Sequence, residues 1–239
     1  MTAREPDDDA AVAACDRIKS LLSTIGNPYL HAVAELAIAI ASAITGDLDG
    51  SVRGASAALT ELRSWDEPFW TALALVTLGS IETALGRYHD AGSHLREMSD
   101  LAERFNNERL IAAAHVQLGA LALAQGQREE ALVLLQGGLD LSLAIHSTPN
   151  ISLSLSAVAQ LAFAEGHPER AALLIAAAEG VRRRAGLRAW PTVQEADAAL
   201  VAQAHLALGT QRFDKLSAAG ARLSQREAVA AFRDGSDAG

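Results

Sequence analysis

The stretch LVTLGSIETALGRYHDA, residues 75–91, decides the fold. Leu75, Leu78, Ile81 and Leu85 recur at three- and four-residue spacing, the pattern of one apolar helix face. Gly86 ends that face, because glycine enters the left-handed conformation that closes a helix without a Cβ penalty. The same wording returns at 36–51 (LAIAIASAITGDLDGS), 116–131 (VQLGALALAQGQREEA) and 158–171 (VAQLAFAEGHPERA). Gly46, Gly86, Gly126 and Gly166 therefore lie forty residues apart. A helix pair cannot bury its apolar face alone, so this period predicts several pairs stacked into a continuous core.

Small residues repeat in the same register. Gly79 and Gly119 follow Leu78 and Leu118, and Ala39 and Ala159 hold the equivalent positions. Twelve residues beyond them stand Ser51, Ala91, Ala131 and Ala171. Paired helices approach closely only where side chains are small, so these positions are expected to be crossing points. Leu132, Leu135, Leu139 and Leu143 continue the helical spacing, and the dominance of alanine and leucine favours helix independently of pattern. Pro28, Pro68, Pro149, Pro168 and Pro191 fall near expected helix starts, where a missing N–H costs little.

These signals predict helices near 10–24, 29–45, 48–64, 68–85, 88–105, 108–125, 128–144, 150–165, 168–185 and 189–208. Shorter ones follow at 212–220 and 224–233, the last opened by a Ser224/Glu227 capping box. The segment Trp65-Asp66-Glu67-Pro68 is expected to be irregular. The fold class is all-α: a right-handed superhelix of stacked antiparallel helix pairs, an α-solenoid. The chain is expected to form one helical-repeat domain over 10–233, with disordered tails at 1–9 and 234–239.

Composition narrows the function. Half of the 239 residues are apolar but only 4% aromatic, so the core is built from alanine and leucine. A net charge of −9 and only two lysines, Lys19 and Lys215, disfavour direct nucleic-acid or anionic-membrane binding. The one dense basic run, Arg182-Arg183-Arg184, is expected to be a solvated helix C-terminus, with a phosphate or acidic-partner patch as the alternative. Cys15 stands alone, which fits a reducing, cytoplasmic setting and a buried apolar role. No signal segment opens the sequence, and polar residues interrupt every long apolar run, so no membrane span is expected.

The sequence shows no catalytic constellation. Neither lysine sits in a P-loop, and Gly-x-Gly-x-x-Gly is absent. His89 and His94 are five residues apart and do not share the face that four-residue metal-ligand spacing would give. His115 and His205 lie in apolar helices and are expected to be packing residues. Asp7-Asp8-Asp9 and Glu129-Glu130 are explained by solvation and the helix dipole. No catalytic residue, metal site or cofactor is expected, and the chain reads as a binding protein rather than an enzyme.

The expected binding surface is the concave side, lined by the first helix of each pair. The forty-residue register places Leu73, Val76, Ser80 and Thr83 on it, then Ala113, Val116, Gln117, Ala120 and Leu123. Leu153, Ser156, Gln160 and Phe163 follow. This lining is apolar with isolated amides and hydroxyls and no charge. It suits an apolar peptide, a protein helix, a hydrophobic small molecule or a second copy of the chain in a homodimer. The alternative is a groove filled by tight packing or by the chain's own C-terminal helix.

The unit Leu118-Gly119-x6-Gly126-x4-Ala131-x3-Leu135 resembles a tetratricopeptide repeat, although the period is forty rather than thirty-four. The aromatic residue that this family carries three positions after the Leu-Gly glycine is replaced here by Glu82, Ala122 and Ala162. A closer resemblance, over residues 70–233, is to the C-terminal helical-repeat region of large bacterial LuxR- or AfsR-type transcriptional regulators. Its marks are Ala176-Ala177-Ala178-Glu179-Gly180-Val181-Arg182, Leu208-Gly209-x3-Phe213-x2-Leu216-x2-Ala219-Gly220 and Leu223-Ser224-x2-Glu227-Ala228-Val229. This resemblance implies a non-catalytic signal-relay module, either a fragment or a stand-alone relative. The alternative is a structural scaffold or dimerisation module with a self-occluded groove.

Overall fold

The structure is a computed structural model that describes residues 6–22, 26–65 and 67–233, with residues 6–12 described by their backbone only. Among the described residues there are twelve α-helices: α1 (Pro6–Leu22), α2 (Pro28–Ile44), α3 (Leu48–Leu62), α4 (Pro68–Ala84), α5 (Tyr88–Arg104), α6 (Glu108–Ala124), α7 (Arg128–Ala144), α8 (Thr148–Ala164), α9 (Pro168–Arg184), α10 (Pro191–Leu208), α11 (Thr210–Gly220) and α12 (Gln225–Arg233). A 3₁₀ turn, Arg63–Trp65, leads into the segment expected to be irregular, of which Asp66 lies outside the described residues and Pro68 already opens α4. The fold is all-α, and successive helices stack as antiparallel pairs. Helix α1 begins at Pro6, earlier than the sequence suggested; residues 1–5 and 234–239 of the expected tails lie outside the described residues.

Helices α2 to α9 begin at residues 28, 48, 68, 88, 108, 128, 148 and 168, so the true step is twenty residues per helix. Left-handed residues set it. Gly46, Gly86, Gly126 and Gly166 have φ of 88°, 73°, 76° and 84°, and Asn106, His146 and Gly186 have 47°, 56° and 66° at the alternate turns. The glycines are required by dihedral angle rather than by space, since nothing lies within 4 Å of a Cβ built at Gly46, Gly86, Gly126 or Gly166. All of these turns but the one at Asn106 close with the same pair of bonds. The Gly86 N–H donates to Thr83 O (3.1 Å) and the Arg87 N–H to Glu82 O (2.8 Å). This is the Schellman arrangement that satisfies carbonyls left open at a helix end. It recurs at Ala43/Ser42, Leu123/Ala122, Leu143/Ser142, Phe163/Ala162 and Arg183/Arg182.

The chain forms two compact units, one ending at Phe105 and the other starting at Asn106. In the N-terminal unit α2 pairs with α3 and α4 with α5, and the pairs meet through α3 against α4 and α2 against α4. Gly79 of α4 lies directly under Leu95 of α5, whose Cγ would stand 2.5 Å from an added Cβ. Ser51, Ala91 and Ala39 are buried as their register required. In the C-terminal unit α6 pairs with α7 and α8 with α9, and α6 also touches α8. Gly119 sits under Leu135 as Gly79 does under Leu95. Ala131, Ala159 and Ala171 are fully buried.

The last helices depart from the rhythm. Helix α11 packs chiefly on α9, where Gly180 faces the Ala221 backbone and Gly220 faces the Leu173 carbonyl. Any Cβ at either position would collide with backbone, so these two glycines permit the crossing. Helix α12 folds back onto α7, α8 and α9 and buries Ala228, Val229 and Phe232. Its start is the expected capping box: the Glu227 N–H donates to Ser224 Oγ (3.3 Å) and the Ser224 N–H to Glu227 Oε2 (2.8 Å). The bond from the Ser224 N–H, with the Ser224 hydroxyl assisting, holds the Glu227 carboxyl below the usual glutamate range.

The turn geometry makes opposite demands on two similar positions. Gly126→Ala is expected to cost about 1 kcal/mol, because alanine must hold a positive φ. His146→Gly is expected to change stability by less than about 0.5 kcal/mol, relief of strain offsetting the freer unfolded chain. Urea unfolding of the two variants checks both.

Candidate functional site

On α4 the expected lining residues Leu73, Val76, Ser80 and Thr83 form one half-buried row. The Thr83 hydroxyl is already used, donating to Gly79 O (2.7 Å), so Ser80 carries the free hydroxyl of that row. In the C-terminal unit, Ala113, Gln117, Ala120 and Leu123 form the matching row on α6. Leu153, Gln160 and Phe163 do so on the adjoining α8. Neither Gln117 nor Gln160 has a hydrogen-bond partner for its side-chain amide, so both present donors and an acceptor beside alkyl surface.

Val116 and Ser156 share these faces but are covered. Val116 is 0% exposed and lies over Gly138 of α7, where its Cγ2 would stand 2.8 Å from an added Cβ. It is part of the pair interior. Ser156 is 1% exposed and belongs to a buried polar cluster. Its hydroxyl donates to Asp197 Oδ2 of α10 (3.0 Å) and accepts from Arg182 Nη1 of α9 (3.0 Å). Arg182 also donates to Asp197 Oδ2 (2.7 Å) and reaches Glu179 at 3.3 Å.

This cluster corrects the reading of the basic run. Arg182 is 5% exposed and joins three helices, because α10 supplies a carboxylate that the α9 sequence could not reveal. Arg184 donates to the carbonyls of Ala221 and Leu223 and so ties down the segment after α11. Of the three arginines, Arg183 alone is exposed without a bonded partner, as expected of a solvated helix end. Burial pushes the Asp197 carboxyl above the usual aspartate range, against the opposing pull of Arg182 and Ser156.

A second buried pair lies in the N-terminal unit at the position where tetratricopeptide repeats carry an aromatic ring. Glu82 of α4 is 4% exposed and its Oε2 is 2.7 Å from His94 Nδ1 of α5. The hydrogen bond to Glu82 raises the His94 pKa above the usual histidine range, outweighing partial burial. Glu97 adds to the rise and Arg63 opposes it. Sequence spacing could not show this pair, because its members sit on opposite helices of one turn. A charge at the ring position, twelve residues before a histidine, was the available signal.

The other titratable candidates are structural or solvent-facing. Cys15 is buried and free. His89 is exposed beside Asp90, and His205 stacks edge-on against Phe213 at 5.2 Å. His115 is half-buried against Gly137. Among the described residues no group of three or more His, Cys, Asp or Glu could hold a metal ion. No described helix is long and apolar enough to cross a membrane.

Comparison with known proteins agrees with this geometry. Residues 70–142 match the family model of the tetratricopeptide repeat. No curated protein matches the chain in sequence. Among solved structures, the chain is similar to a Rap protein complexed with competence and sporulation factor, with a TM-score of 0.64 and 14% identity. The match covers 96% of this chain and 72% of that one. At this identity the likeness is one of fold alone.

Both buried pairs have measurable consequences. Asp197→Ala is expected to cost about 3–5 kcal/mol by stranding the Arg182 charge. The double variant Arg182→Met/Asp197→Leu is expected to be clearly more stable than Asp197→Ala in urea unfolding, since it removes both charges. His94 is protonated more readily in the folded than in the unfolded chain. Its stabilisation is therefore fully present below the unfolded value, about pH 6.5, and is lost as pH rises through the higher folded value. Unfolding free energies at about pH 5.5 and about pH 8.5 should fall with pH more steeply in the parent than in His94→Gln.

Proposed function

We propose that this chain is a non-catalytic binding and signal-relay module of a bacterial transcriptional regulator. Its ligand is an apolar peptide, a protein helix or a hydrophobic small molecule, laid along α6 and α8. One observation carries the reading. Two adjoining helices present parallel half-buried rows whose alkyl groups flank the unpartnered amides of Gln117 and Gln160. Apolar surface supplies affinity in such a site, and a few placed polar groups fix orientation. A similarly folded protein solved in complex with competence and sporulation factor supports a binding role. The regulatory context rests on the resemblance of residues 176–182 and 208–229 to the closing segment of LuxR- or AfsR-type regulators.

A second reading, a scaffold whose groove is self-filled, has its own support at one end of α8. Phe163 packs against the main core and also against the small cluster of Ala172, Ala204 and Phe213, so this ring is partly covered by the chain itself. Helix α12 bonds to α8 through Gln225 and Thr148 (2.9 Å), at the start of α8 and away from the expected lining residues.

A thermal-shift and fluorescence-anisotropy screen with amphipathic apolar helical peptides and hydrophobic metabolites separates the two. In an open site, Ala120→Asp weakens a bound probe by at least about tenfold while the melting temperature moves by less than about 2 °C. A self-filled face instead binds no probe and loses several degrees, about 4 °C or more, on the same change.

A further inference from the structure

The aromatic residues of this alanine-rich chain are unevenly spread. Six of its ten, Tyr29, Trp65, Phe69, Trp70, Tyr88 and Phe105, lie at helix ends of the N-terminal unit, at the starts of α2, α4 and α5 and the ends of α3 and α5. Trp65, Phe69 and Phe105 are 46%, 55% and 42% exposed, an uncommon state for large rings. Tyr29 and Trp65 pack at 5.6 Å, and Phe69 and Trp70 meet edge-on at 5.1 Å, so the rings are held rather than loose. None of them belongs to the expected lining of the α4, α6 and α8 faces.

One of these rings, Phe105, lines a cleft of about 250 Å³ among α3, α4 and α5, and Trp65 and Phe69 are close in sequence to its lining residues Arg63, Glu67 and Pro68. Its floor is apolar, made by Leu62, Leu101 and Pro68. Across one side Arg63 binds Glu97 through two bonds, Nε to Oε1 at 2.9 Å and Nη2 to Oε2 at 2.5 Å, so those charges cancel. Arg104 stacks over the Phe105 ring at 5.1 Å and forms a wall. Two further carboxylates, Glu67 and Asp100, line the cleft. Glu67 uses one oxygen to cap α4, accepting from the Trp70 N–H at 3.0 Å, and Asp100 has no bonded partner. The lining thus holds three carboxylates against two guanidiniums, on a chain whose net charge is −9.

An apolar floor with carboxylates in excess at the rim matches an arginine or lysine side chain, whose alkyl stem packs while its head stays paired. An exposed aromatic ring in the wall of such a cleft, Phe105, supplies the kind of anchoring surface that dominates protein interfaces. We propose that this cleft and its aromatic edge form a docking site for a partner-protein segment that inserts one basic side chain, flanked by apolar residues. The site is separate from the α6 and α8 face and does not depend on that face binding anything.

The test is panning a random twelve-residue peptide library, on the order of 10⁹ clones, against the immobilised full chain, then measuring enriched peptides by anisotropy. Enriched peptides are expected to share an arginine or lysine beside apolar or aromatic residues. Their affinity should fall at least about tenfold on Asp100→Arg and on Phe105→Ala, and stay within about twofold on Ala120→Asp. Both cleft residues are exposed, and a melting temperature within about 2 °C of the parent confirms that each variant folds. Peptides without a basic residue, acidic peptides, peptides insensitive to both cleft variants, or no enrichment at all would each overturn the proposal. Peptides weakened only by Ala120→Asp would overturn it while supporting the α6 and α8 reading.

Discussion

Close approach of paired helices at small residues is the constraint on which the rest of this structure depends. A leucine from the second helix of a pair lies against a glycine of the first, Leu95 on Gly79 and Leu135 on Gly119, and no Cβ fits between them. Alanine holds the same register at Ala39 and Ala159, both buried, and a Cβ added at Gly54 of α3 would stand 3.1 Å from the Ala39 Cβ. Because alanine and leucine make most of the core, stability rests on many modest contacts rather than on large rings. The twenty-residue step keeps those contacts in phase, and the left-handed turn residues keep the step.

On this apolar frame the buried charges decide local geometry. The Arg182, Asp197 and Ser156 cluster fastens α10 to α8 and α9, which matters because α10 buries little else: Leu200 and Ala204 are its only other buried residues. Glu82 and His94 replace a ring contact with a charge-assisted hydrogen bond inside the α4 and α5 pair. Buried pairs of this kind add little net stability over apolar packing, yet losing one partner is costly because the other charge is left unpaired. They leave the half-buried rows of α4, α6 and α8 free of charge, which suits an apolar ligand there. Exposed charge and aromatic surface collect instead at the α3, α4 and α5 cleft.

Most of the architecture was legible in the sequence because glycine and small-residue spacing report backbone demands directly. Gly46, Gly86, Gly126 and Gly166 marked one series of turns without ambiguity. The alternate series was hidden, since Asn106 and His146 hold the same positive φ without being glycine. Of the residues expected to line α6 and α8, all but Val116 and Ser156 are half-buried. Val116 and Ser156 share the helical faces of Ala120 and Gln160 but are covered, Val116 by α7 at Gly138 and Ser156 by Arg182 and Asp197, and helical spacing does not show which residues of a face a neighbouring helix covers. The destiny of Arg182 was not legible at all. It depends on a carboxylate fifteen residues away whose helix returns across α8 and α9, and a local view of the arginine run gives a solvated helix end.

The most direct test of the central claim is a double-mutant cycle at one crossing point, Gly119 with Leu135, followed by urea unfolding. Gly119→Ala alone should be costly, by about 1–3 kcal/mol from overpacking. In the Leu135→Ala background the added methyl should find room, giving a coupling energy of at least about 1 kcal/mol. Simple additivity of the two changes would mean that these residues do not meet, and the account of how the helix pairs are held would fail.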